Sequence, residues 1–523
     1  MIRNIKCAFL FIVLIILSAF SKVEAQSFIN VKSYGAVADG KTYDTDSIQK
    51  AIDETAEKGG GTIYFPAGNY LTRTIILKDN ISLYLDNGCT ILGSTDLNKF
   101  DPKFGSFIDS GGRKIGTALV FAQNCKNISI EGNGTINGQG YEKFYPYQKN
   151  LARPSIIRFI NCSFVKIKNI TLINSAAWVQ HYINCDDLLI DGITVRSYSN
   201  KNNDGLDVES CRKVFITRCN INSEDDSIVL KALTTRACRD VVINDCIISG
   251  LKSAIKIGTE SIGNFENISI SNCSIYGTRG ISLLTVDGGS IDNITISNIS
   301  MRNTYAVIVL RLGNRMRKYT VPDSLQPKVP GTFKNVMIDN IQAVGVTESN
   351  DFICGIPGHD IENVSISNLR IIYKGGGTLS DFYREIPERT NGYPKAKMFG
   401  NLPSYGFFIR HAKGITLENV FLNYESCDNR PVIYCDSVKD IILSGIDAKS
   451  PGSHTPYFFF KNVEGAVLSN CSPGGKLKTF LQLEGKNTKG IKILWNNIGT
   501  DTKILKSGFG ITNNAVSIIK YLK

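Results

Sequence analysis

Short stretches in which apolar residues alternate with small or polar ones recur along most of the chain. They read like IKNITLI or ISNCSIY, and the first six copies are separated by 23, 26, 27, 27 and 26 residues. The copies begin at Ile167, Ile190, Ile216, Ile243, Ile270, Ile296, Ile338, Ile366, Leu417, Leu443 and Leu468. Alternation is the strand period, so this repeat predicts an all-β fold, a parallel β-helix with several short strands per coil.

The segment before the repeat predicts a helical cap that covers the open hydrophobic end of this solenoid. Asp44 or Thr45 can cap the helix and Gly59 to Gly61 can end it, while one face is formed by Ile48, Ala51, Ile52 and Thr55. Strands are expected to follow at 61–65, 70–77 and 81–85. We therefore divide the chain into a signal peptide (1–25), a cap with the first coils (26–123) and the solenoid (124–523).

Two long intervals interrupt the repeat, near 311–331 and 373–406. The first is basic, with Arg311, Arg315, Arg317 and Lys318, and the second is rich in aromatic residues. Long insertions in a solenoid leave it as loops, often on the binding face. We therefore expect one solenoid with two loops and no separate second domain.

Cysteine and asparagine fall at regular positions within the repeat. One Cys position per coil is occupied by Cys125, Cys162, Cys185, Cys211 and Cys238, and a second by Cys219, Cys246 and Cys273. Stacked single cysteines lack the close spacing of zinc sites, and small apolar side chains line the inside of a β-helix. We predict buried free thiols, and a hydrogen-bonded ladder for the Asn residues at the corners.

The first residues and the overall charge bear on the compartment and the partner. Arg3 and Lys6 precede an apolar run that ends near Phe20, and small residues follow at Val23 to Ala25, the order of a secretory signal peptide. An uncleaved anchor is the alternative. Export to the periplasm or the extracellular space is therefore expected. The formal charge of +12 suits an anionic partner, although excess lysine also serves solubility.

The stretch from Asn202 to Lys231 places Asp204 and the pair Asp225–Asp226 about one repeat apart. Counting ten residues from successive Ile anchors aligns Asp226 with Ser253, Gly280 and Ala306. Parallel coils are stacked about 4.8 Å apart, so the three acids should lie on one face. Clustered carboxylates repel each other and are costly to desolvate, which favours an active site over a structural role. Their expected neighbours on adjoining coils are Lys256, Trp178 and His181.

Three interpretations of the acids remain open from the residues alone. Carboxylates roughly 6.5–9.5 Å apart are typical of inverting glycoside hydrolases, with one acid protonated and the others activating water. The same acids could bind Ca²⁺ for a β-elimination, or simply cap turns. We interpret Asp207 and Glu260 as solvated or turn-capping residues, and Trp178 and His181 as candidates for contacting sugar.

The Asn-Asp-Gly at 203–205, the Asp-Asp that follows Asp204 by 21 residues, and the coil repeat together resemble the polygalacturonase family, glycoside hydrolase family 28. The runs YGAVADGKTYDTDSIQKAI, GGGTIYFPAGNY and GIPGHDIENVSISNLRI are also similar to such proteins. This resemblance implies a single-stranded, right-handed, pectin-lyase-like β-helix and inverting hydrolysis of pectic polymers. It implies that Asp225 is the general acid and that Asp204 and Asp226 activate water.

Two departures from the family pattern concern the substrate. Ser253-Ala254 stands where Gly-His-Gly is usual, and Ser282-Leu283-Leu284 stands where Arg-Ile-Lys grips a uronate carboxylate. The replacement cation is expected from Lys256, Arg311 or Arg315, or the bound sugar is neutral.

The sequence as a whole predicts an exported O-glycosyl hydrolase that acts on a pectic or related acidic polysaccharide, and the two long insertions favour action from the chain end. We expect no metal, no cofactor, no nucleic-acid partner and no stable membrane insertion after signal removal. The alternatives are a polysaccharide lyase on the same fold and a non-catalytic β-helix that binds carbohydrate.

Overall fold

The computed structural model describes residues 28–101, 107–108, 114–148, 151–318, 322–348 and 351–519. The predicted signal peptide lies outside these residues. Along the described chain, each coil contributes strands to three stacks, in which every strand pairs in parallel with the equivalent strand of the next coil. The fold is therefore the predicted all-β parallel β-helix. Among the described residues, no helix combines the length and apolar character needed to cross a bilayer.

The three stacks are named here the first, second and third sheets, in the order in which one coil visits them. The first sheet contains Phe28–Asn30, Gly61–Phe65, Ile81–Leu85, Lys126–Gly132, Ser163–Lys168, Asp186–Asp191, Arg212–Thr217, Cys238–Asn244, Phe265–Ser271, Lys489–Leu494 and Val516–Ile519. The second contains Asp39–Tyr43, Gly68–Thr72, Cys89–Gly93, Thr135–Asn137, Thr171–Ile173, Thr194–Ser197, Asn220–Ser223, Ile247–Gly250, Ser274–Tyr276 and Ser472–Gly474. The third contains Ile75–Ile76, Lys114–Gln123, Arg153–Ile160, Gln180–Ile183, Leu206–Glu209, Ile228–Ala232, Ser253–Ser261, Arg279–Thr285, Ile308–Leu312, Asp351–Cys354, Thr479–Glu484 and Lys503–Ser507.

In the later coils the strands run around the corners and belong to more than one sheet. These long strands are Ile291–Arg302, Phe333–Val346, Ile361–Gly375, Phe407–Ser426, Ile433–Lys449 and Phe458–Ser469. One short strand, Phe107–Ile108, pairs in antiparallel fashion with its neighbour in the third sheet. The remaining elements are the α-helices Thr45–Glu57 and Leu379–Phe382 and the short 3₁₀ helices Val31–Tyr34, Leu97–Lys99, Asp323–Leu325 and Asn513–Ala515.

The Ile residues that begin successive sequence repeats form one column inside the solenoid. Ile216 pairs with Ile243, Ile243 with Ile270, and Ile270 with Ile296. All four side chains are buried, and the residues on either side of each Ile in its strand point outward with partial or full exposure. Because the strand period sends alternate residues inward, each coil adds one layer of aliphatic side chains to a continuous core.

Asparagine at the corners adopts the left-handed backbone conformation and forms the predicted ladder. Asn272, Asn298 and Asn340 have φ of 55°, 56° and 52°. The Asn298 amide donates to the Asn272 side-chain oxygen at 3.1 Å and accepts from the Asn340 amide at 2.7 Å. Asparagine tolerates this conformation better than most residues, and a side-chain bond to the next coil satisfies its amide.

The N-terminal helix and the cysteines agree with their predictions, and one predicted strand does not. The helix spans Thr45–Glu57, buries the predicted face, and contacts the strands Gly61–Phe65, Ile75–Ile76 and Ile81–Leu85. The single strand expected at 70–77 is instead two strands, because the chain turns between the second and third sheets at Arg73 and Thr74. The cysteines of the described residues carry free thiols, and all are buried except Cys427.

The ladder of corner asparagines predicts that two different substitutions of Asn298 lower the stability to different extents. Asn298→Ala removes the amide and forces an alanine into the left-handed conformation, so we expect it to lower the free energy of unfolding by about 1–2 kcal/mol. Asn298→Gly removes the same amide without that backbone strain and should cost less. Apparent melting temperatures by circular dichroism should therefore fall in the order wild type, glycine variant, alanine variant. Equal losses for both variants would show that the left-handed backbone conformation does not contribute to the difference in stability.

Candidate active site

The predicted acids lie where the chain turns from the second sheet into the third. Leu206 pairs with Ile228, and Ile228 pairs with Ile255. Two residues before these strand positions, Asp204, Asp226 and Ser253 are therefore stacked on successive coils. The next residue in this register is Arg279 and not Gly280 as the sequence alignment had it, because Ser253 pairs with Arg279. The turn before Arg279 is one residue shorter than the Ile spacing implies.

Local hydrogen bonds hold the first of these turns. The buried Asn203 side chain donates to the Ala177 carbonyl at 3.0 Å and accepts from the Ser197 hydroxyl at 2.7 Å. Gly205 follows the acid because a Cβ there would lie 2.6 Å from the Ser227 carbonyl oxygen on the next coil. In the Asn-Asp-Gly motif, Asn203 and Gly205 therefore fix the backbone, and Asp204 supplies the chemistry.

The structure brings the three predicted catalytic acids together. One carboxylate oxygen from each of Asp204, Asp225 and Asp226 lies within 4.8 Å of the other two. Asp204 and Asp226 are buried, whereas Asp225 is partly exposed at the cleft. The cleft lining also includes Trp178, Lys231, Lys256, Thr259, Glu260, Arg317 and Tyr393.

Asp226 is held in its ionised form. The Lys256 ammonium lies 2.6 Å from Oδ2 of this residue, and the Ser253 N–H donates to Oδ1 at 2.8 Å. Burial favours the neutral form, but these two partners outweigh it and keep the pKa of Asp226 below its ordinary value. Lys256, predicted to contact substrate, is therefore the counter-ion of an acid in this structure.

The other two acids hold protons more firmly. Burial, and then the charge of Asp226, raises the pKa of Asp225 to about 6. Burial raises the pKa of Asp204 well above its ordinary value, and Asp207 and Asp225 raise it further. Groups of like charge that share a small space titrate together, so the pair Asp204–Asp225 retains a proton in mildly acidic solution while Asp226 stays charged.

A buried lysine that the sequence analysis did not consider lies beneath these acids. The Lys231 ammonium is 2.8 Å from Asp207, 3.5 Å from Glu260 and 3.8 Å from Asp204. The interpretation of Asp207 and Glu260 as solvated or turn-capping residues is wrong, because both are buried and face this ammonium. Asp207 nevertheless has its pKa raised to about 6, since burial outweighs the attraction of Lys231.

Trp178 and His181 form the wall behind Lys231. The ammonium of Lys231 lies 3.4 Å from the centre of the Trp178 ring, and only 3% of Trp178 is exposed. Trp178 lines the cleft, but its ring face contacts the lysine. His181 is fully buried, packs edge-on against Trp178, and shares a hydrogen bond of 2.9 Å with Glu209. Burial lowers the pKa of His181 well below its ordinary value, so the imidazole is neutral.

Two arginines of the first insertion that were predicted to contact substrate lie outside the cleft lining. Arg311 is buried away from the cleft and donates to the carbonyls of Gly355 and Glu388 at 2.8 and 3.1 Å. Arg315 forms an ion pair with Asp287 and donates to the Thr259 carbonyl at 2.9 Å, so it supports the wall. The structure therefore does not bring these two predicted contacts into the cleft.

The insertion residues that do line the cleft are Arg317 and Tyr393. Arg317 comes from the first insertion, and Tyr393 comes from the second. The Arg315 guanidinium lies 5.7 Å from the centre of the Tyr393 ring, which joins the two insertions at this point. Tyr393 is 47% exposed and so offers a ring edge and hydroxyl to a bound molecule.

The donor set favours acid–base chemistry over cation binding. Three carboxylates are oxygen donors of the kind that Ca²⁺ accepts. However, both oxygens of Asp226 already have partners, and the Lys256 ammonium occupies the space beside it at 2.6 Å. A divalent cation there would face this positive charge directly.

Sequence reasoning found the acids because their repeat spacing was visible. It missed Lys231, and within the two insertions it did not single out Arg317 and Tyr393 as residues of the cleft. Lys231 ends the alternating run SIVLK at an outward position, where a long charged residue ordinarily reaches solvent. A signal was present nonetheless, since Glu209 and Lys231 have equivalent positions on successive coils. The two insertion residues carried no periodic signal.

Comparison with known proteins supports one family. The model of glycosyl hydrolases family 28 matches residues 62–386. A probable polygalacturonase of Vitis vinifera is 32% identical over 212 residues, which is 38% of this chain and 43% of that protein. The matches cover only 43% to 62% of the first curated relatives.

Solved structures show the same fold at low identity. The exopolygalacturonase of Thermotoga maritima superposes with a TM-score of 0.60 and 20% identity, over 76% of this chain and 92% of that one. The family 28 exopolygalacturonase of Yersinia enterocolitica gives 0.63 and 18%, over 80% and 78%. The family match spans more than half of the residues, includes all three clustered acids, and agrees with this fold. The chain belongs to glycosyl hydrolases family 28.

Proposed function

We propose that this protein hydrolyses glycosidic bonds of a pectic or related acidic polysaccharide, with inversion at the anomeric carbon. The observation that carries the proposal is the cluster of Asp204, Asp225 and Asp226, in which Asp226 is charged and the pair Asp204–Asp225 shares a proton. Hydrolysis needs both forms at once, because the leaving oxygen must be protonated while water is deprotonated. The family membership supports the same reaction class.

Asp225 is the proposed general acid. It is the most exposed of the three acids, so a glycosidic oxygen can reach it, and its pKa of about 6 supplies a proton in mildly acidic solution. A carboxyl at a cleft rim with a raised pKa is the usual arrangement for this role.

Asp226 and Asp204 are the proposed partners of the attacking water. Two oxygens within 4.8 Å can both hydrogen-bond one water molecule, and Asp226 has the charge to take its proton. Asp226 also has both oxygens engaged, which makes it a poor nucleophile for a covalent intermediate. The spacing is shorter than the roughly 6.5–9.5 Å typical of inverting enzymes, so stereochemistry is the decisive measurement.

The overall charge of the chain and one arginine of the cleft lining support an acidic polymer as substrate. The chain carries a formal charge of +12, and Arg317 contributes a guanidinium to the cleft lining. Ser282, at the register position where relatives of this type were expected to grip the uronate, is buried and uncharged. Arg317 therefore replaces Arg311 and Arg315 as the proposed contact to a uronate carboxylate. Export, as the first 25 residues predict, would bring the enzyme to such polymers.

Action from the chain end is supported by the insertions. Tyr393 and Arg317 come from two separate loops and line the same cleft as the acids. Loops that narrow one side of a groove limit how far a polymer extends through it, which favours release of short products.

The acid role predicts the outcome of Asp225→Asn. This change removes the proton donor and keeps the size of the side chain, so kcat should fall about 10²- to 10⁴-fold with little change in KM. The measurement is reducing-sugar release from defined pectic oligosaccharides, with proton NMR of the first product anomer. Asp501→Asn, at an exposed position of the C-terminal coil, is the control and should retain full activity. Undiminished turnover in the Asp225 variant would rule out this assignment, and retention of the anomer would rule out inversion.

The same experiment separates the competing functions. A lyase would give an unsaturated, ultraviolet-absorbing uronate and would depend on added Ca²⁺. If the protein only binds carbohydrate, the wild type and the Asp501→Asn control would both bind the oligosaccharides, and neither would release product.

The raised pKa of Asp225 and the lowered pKa of Asp226 predict a bell-shaped dependence of kcat/KM on pH. Asp225 must keep its proton, so the rate should fall as the pH rises through about 6. Asp226 must be ionised, so the rate should fall again only below the ordinary pKa of an aspartate side chain (about 3.9). Initial rates between pH 3 and 8 test this, with circular dichroism at each pH as the control for unfolding. A rate that is still rising at pH 8 would contradict these proton positions.

The position of Tyr393 in the cleft lining predicts a specific effect of its removal. Tyr393→Ala removes a ring edge that contacts the terminal sugar, which should raise KM about 2- to 10-fold. Tyr383→Ala is the matched control, since Tyr383 is exposed in the same insertion but does not line the cleft. Chromatography of early products should show one short product from the wild type. A broad ladder of lengths at the first time points would contradict chain-end action.

A further inference from the structure

The most unusual side chain outside the three acids is Lys231. It is the penultimate residue of the strand Ile228–Ala232, is 5% exposed, and faces three carboxylates from two neighbouring coils. Burying an ammonium is costly unless charged partners surround it. Burial opposes its charge, but Asp207, Glu260 and Asp204 outweigh burial and raise the pKa of Lys231 above its ordinary value. Lys231 is therefore a permanent cation beneath the catalytic acids.

The local charge balance makes this cation important for the catalytic proton. Five acids, Asp204, Asp207, Asp225, Asp226 and Glu260, form ion pairs or share the cleft with the two ammonium groups of Lys231 and Lys256. The charges of Lys252 and Arg158 act on Asp225 and Asp207 from further away. Lys256 is engaged by Asp226 at 2.6 Å. The remaining acids therefore outnumber their counter-ion and must share protons.

The groups that face Lys231 come from each neighbouring element. The strand Leu206–Glu209 contributes Asp207 and Glu209, the corner before it contributes Asp204, and the strand Ser253–Ser261 contributes Glu260. On the far side, neutral His181 and the Trp178 ring close the space. Among the three catalytic acids, Asp204 is the one whose carboxylate lies within 4 Å of Lys231.

We propose that Lys231 is a positioning residue that acts through Asp204: its charge sets how firmly the Asp204–Asp225 pair holds the proton that is given to the leaving oxygen. The Trp178 ring, 3.4 Å from the ammonium, fixes that charge in place. The Lys231 ammonium faces the inner acids Asp207 and Glu260, and among the three proposed catalytic acids it reaches Asp204. This inference rests on the proposed hydrolase function.

Two substitutions should move the pH profile in opposite directions. Lys231→Met removes the cation and so strengthens proton binding by the acid pair, which should shift the alkaline limb of kcat/KM upward by about 1 pH unit or more. Glu260→Gln removes a neighbouring anion and should shift the same limb downward. The acidic limb belongs to Asp226, whose charge is fixed by Lys256, and should stay in place in both variants.

Lys231→Arg is the conservative control, since it keeps the positive charge and should keep the limb near the wild-type position. A merely structural role for Lys231 would lower activity equally at every pH and leave the limbs unmoved. The proposal would be overturned if the alkaline limb of kcat/KM lay at the same pH in the wild type, Lys231→Met and Glu260→Gln. If the methionine variant fails to fold, the downward shift in Glu260→Gln decides the question alone, because its absence would also overturn it.

A measurement without substrate keeps this inference separate from the proposed function. If the folded acid pair binds protons more firmly than the unfolded chain, stability is lost as pH rises through its folded-state titration. The melting temperature of Lys231→Met should therefore fall more steeply than that of wild type between pH 5 and 8, and that of Glu260→Gln less steeply. Parallel curves would refute the role of Lys231. Wild-type protein that cleaves no pectic substrate, but shows divergent curves, would refute only the hydrolase function.

Discussion

Every other feature of this site depends on the constraint that successive coils stack in register. Strands of one sheet pair in parallel, so a residue at a given position lies directly beside its equivalent one coil away. Asp204 and Asp226 are 22 positions apart by number and neighbours in space because Leu206 pairs with Ile228. A shift of the pairing by one residue would turn these carboxylates to another face and disperse the site.

Charge compensation is the second requirement, and it gives the acids different roles. Asp226 has an ammonium and a backbone N–H as partners, whereas Asp225 has neither an ammonium nor an arginine within ion-pair distance among the described residues. The same residue type therefore carries a charge at one position and a proton at the next. The environment assigns the chemistry, as in other enzymes that use two carboxyl groups.

The sequence was sufficient for features that repeat and insufficient for features that do not. The coil period predicted the β-helix, the buried thiols, the Asn ladder and the meeting of the three acids, because each rests on alternation or a fixed spacing. Lys231 was overlooked because an outward lysine at a strand end usually reaches solvent, and only the tertiary contacts with Asp207 and Glu260 bury it. Arg311 is equally basic in sequence, yet it donates to backbone carbonyls away from the cleft.

The division between coils and insertions has an evolutionary consequence. The acids and their counter-ions lie on consecutive coils between Trp178 and Glu260, while Arg317 and Tyr393 are carried by loops that leave later coils. In a solenoid each coil contacts only its neighbours, so a loop on a later coil can lengthen, shorten or change composition while the strands beneath the acids stay paired, provided that Arg315 keeps its contact with Thr259. Reaction chemistry and choice of sugar can therefore diverge independently in this architecture.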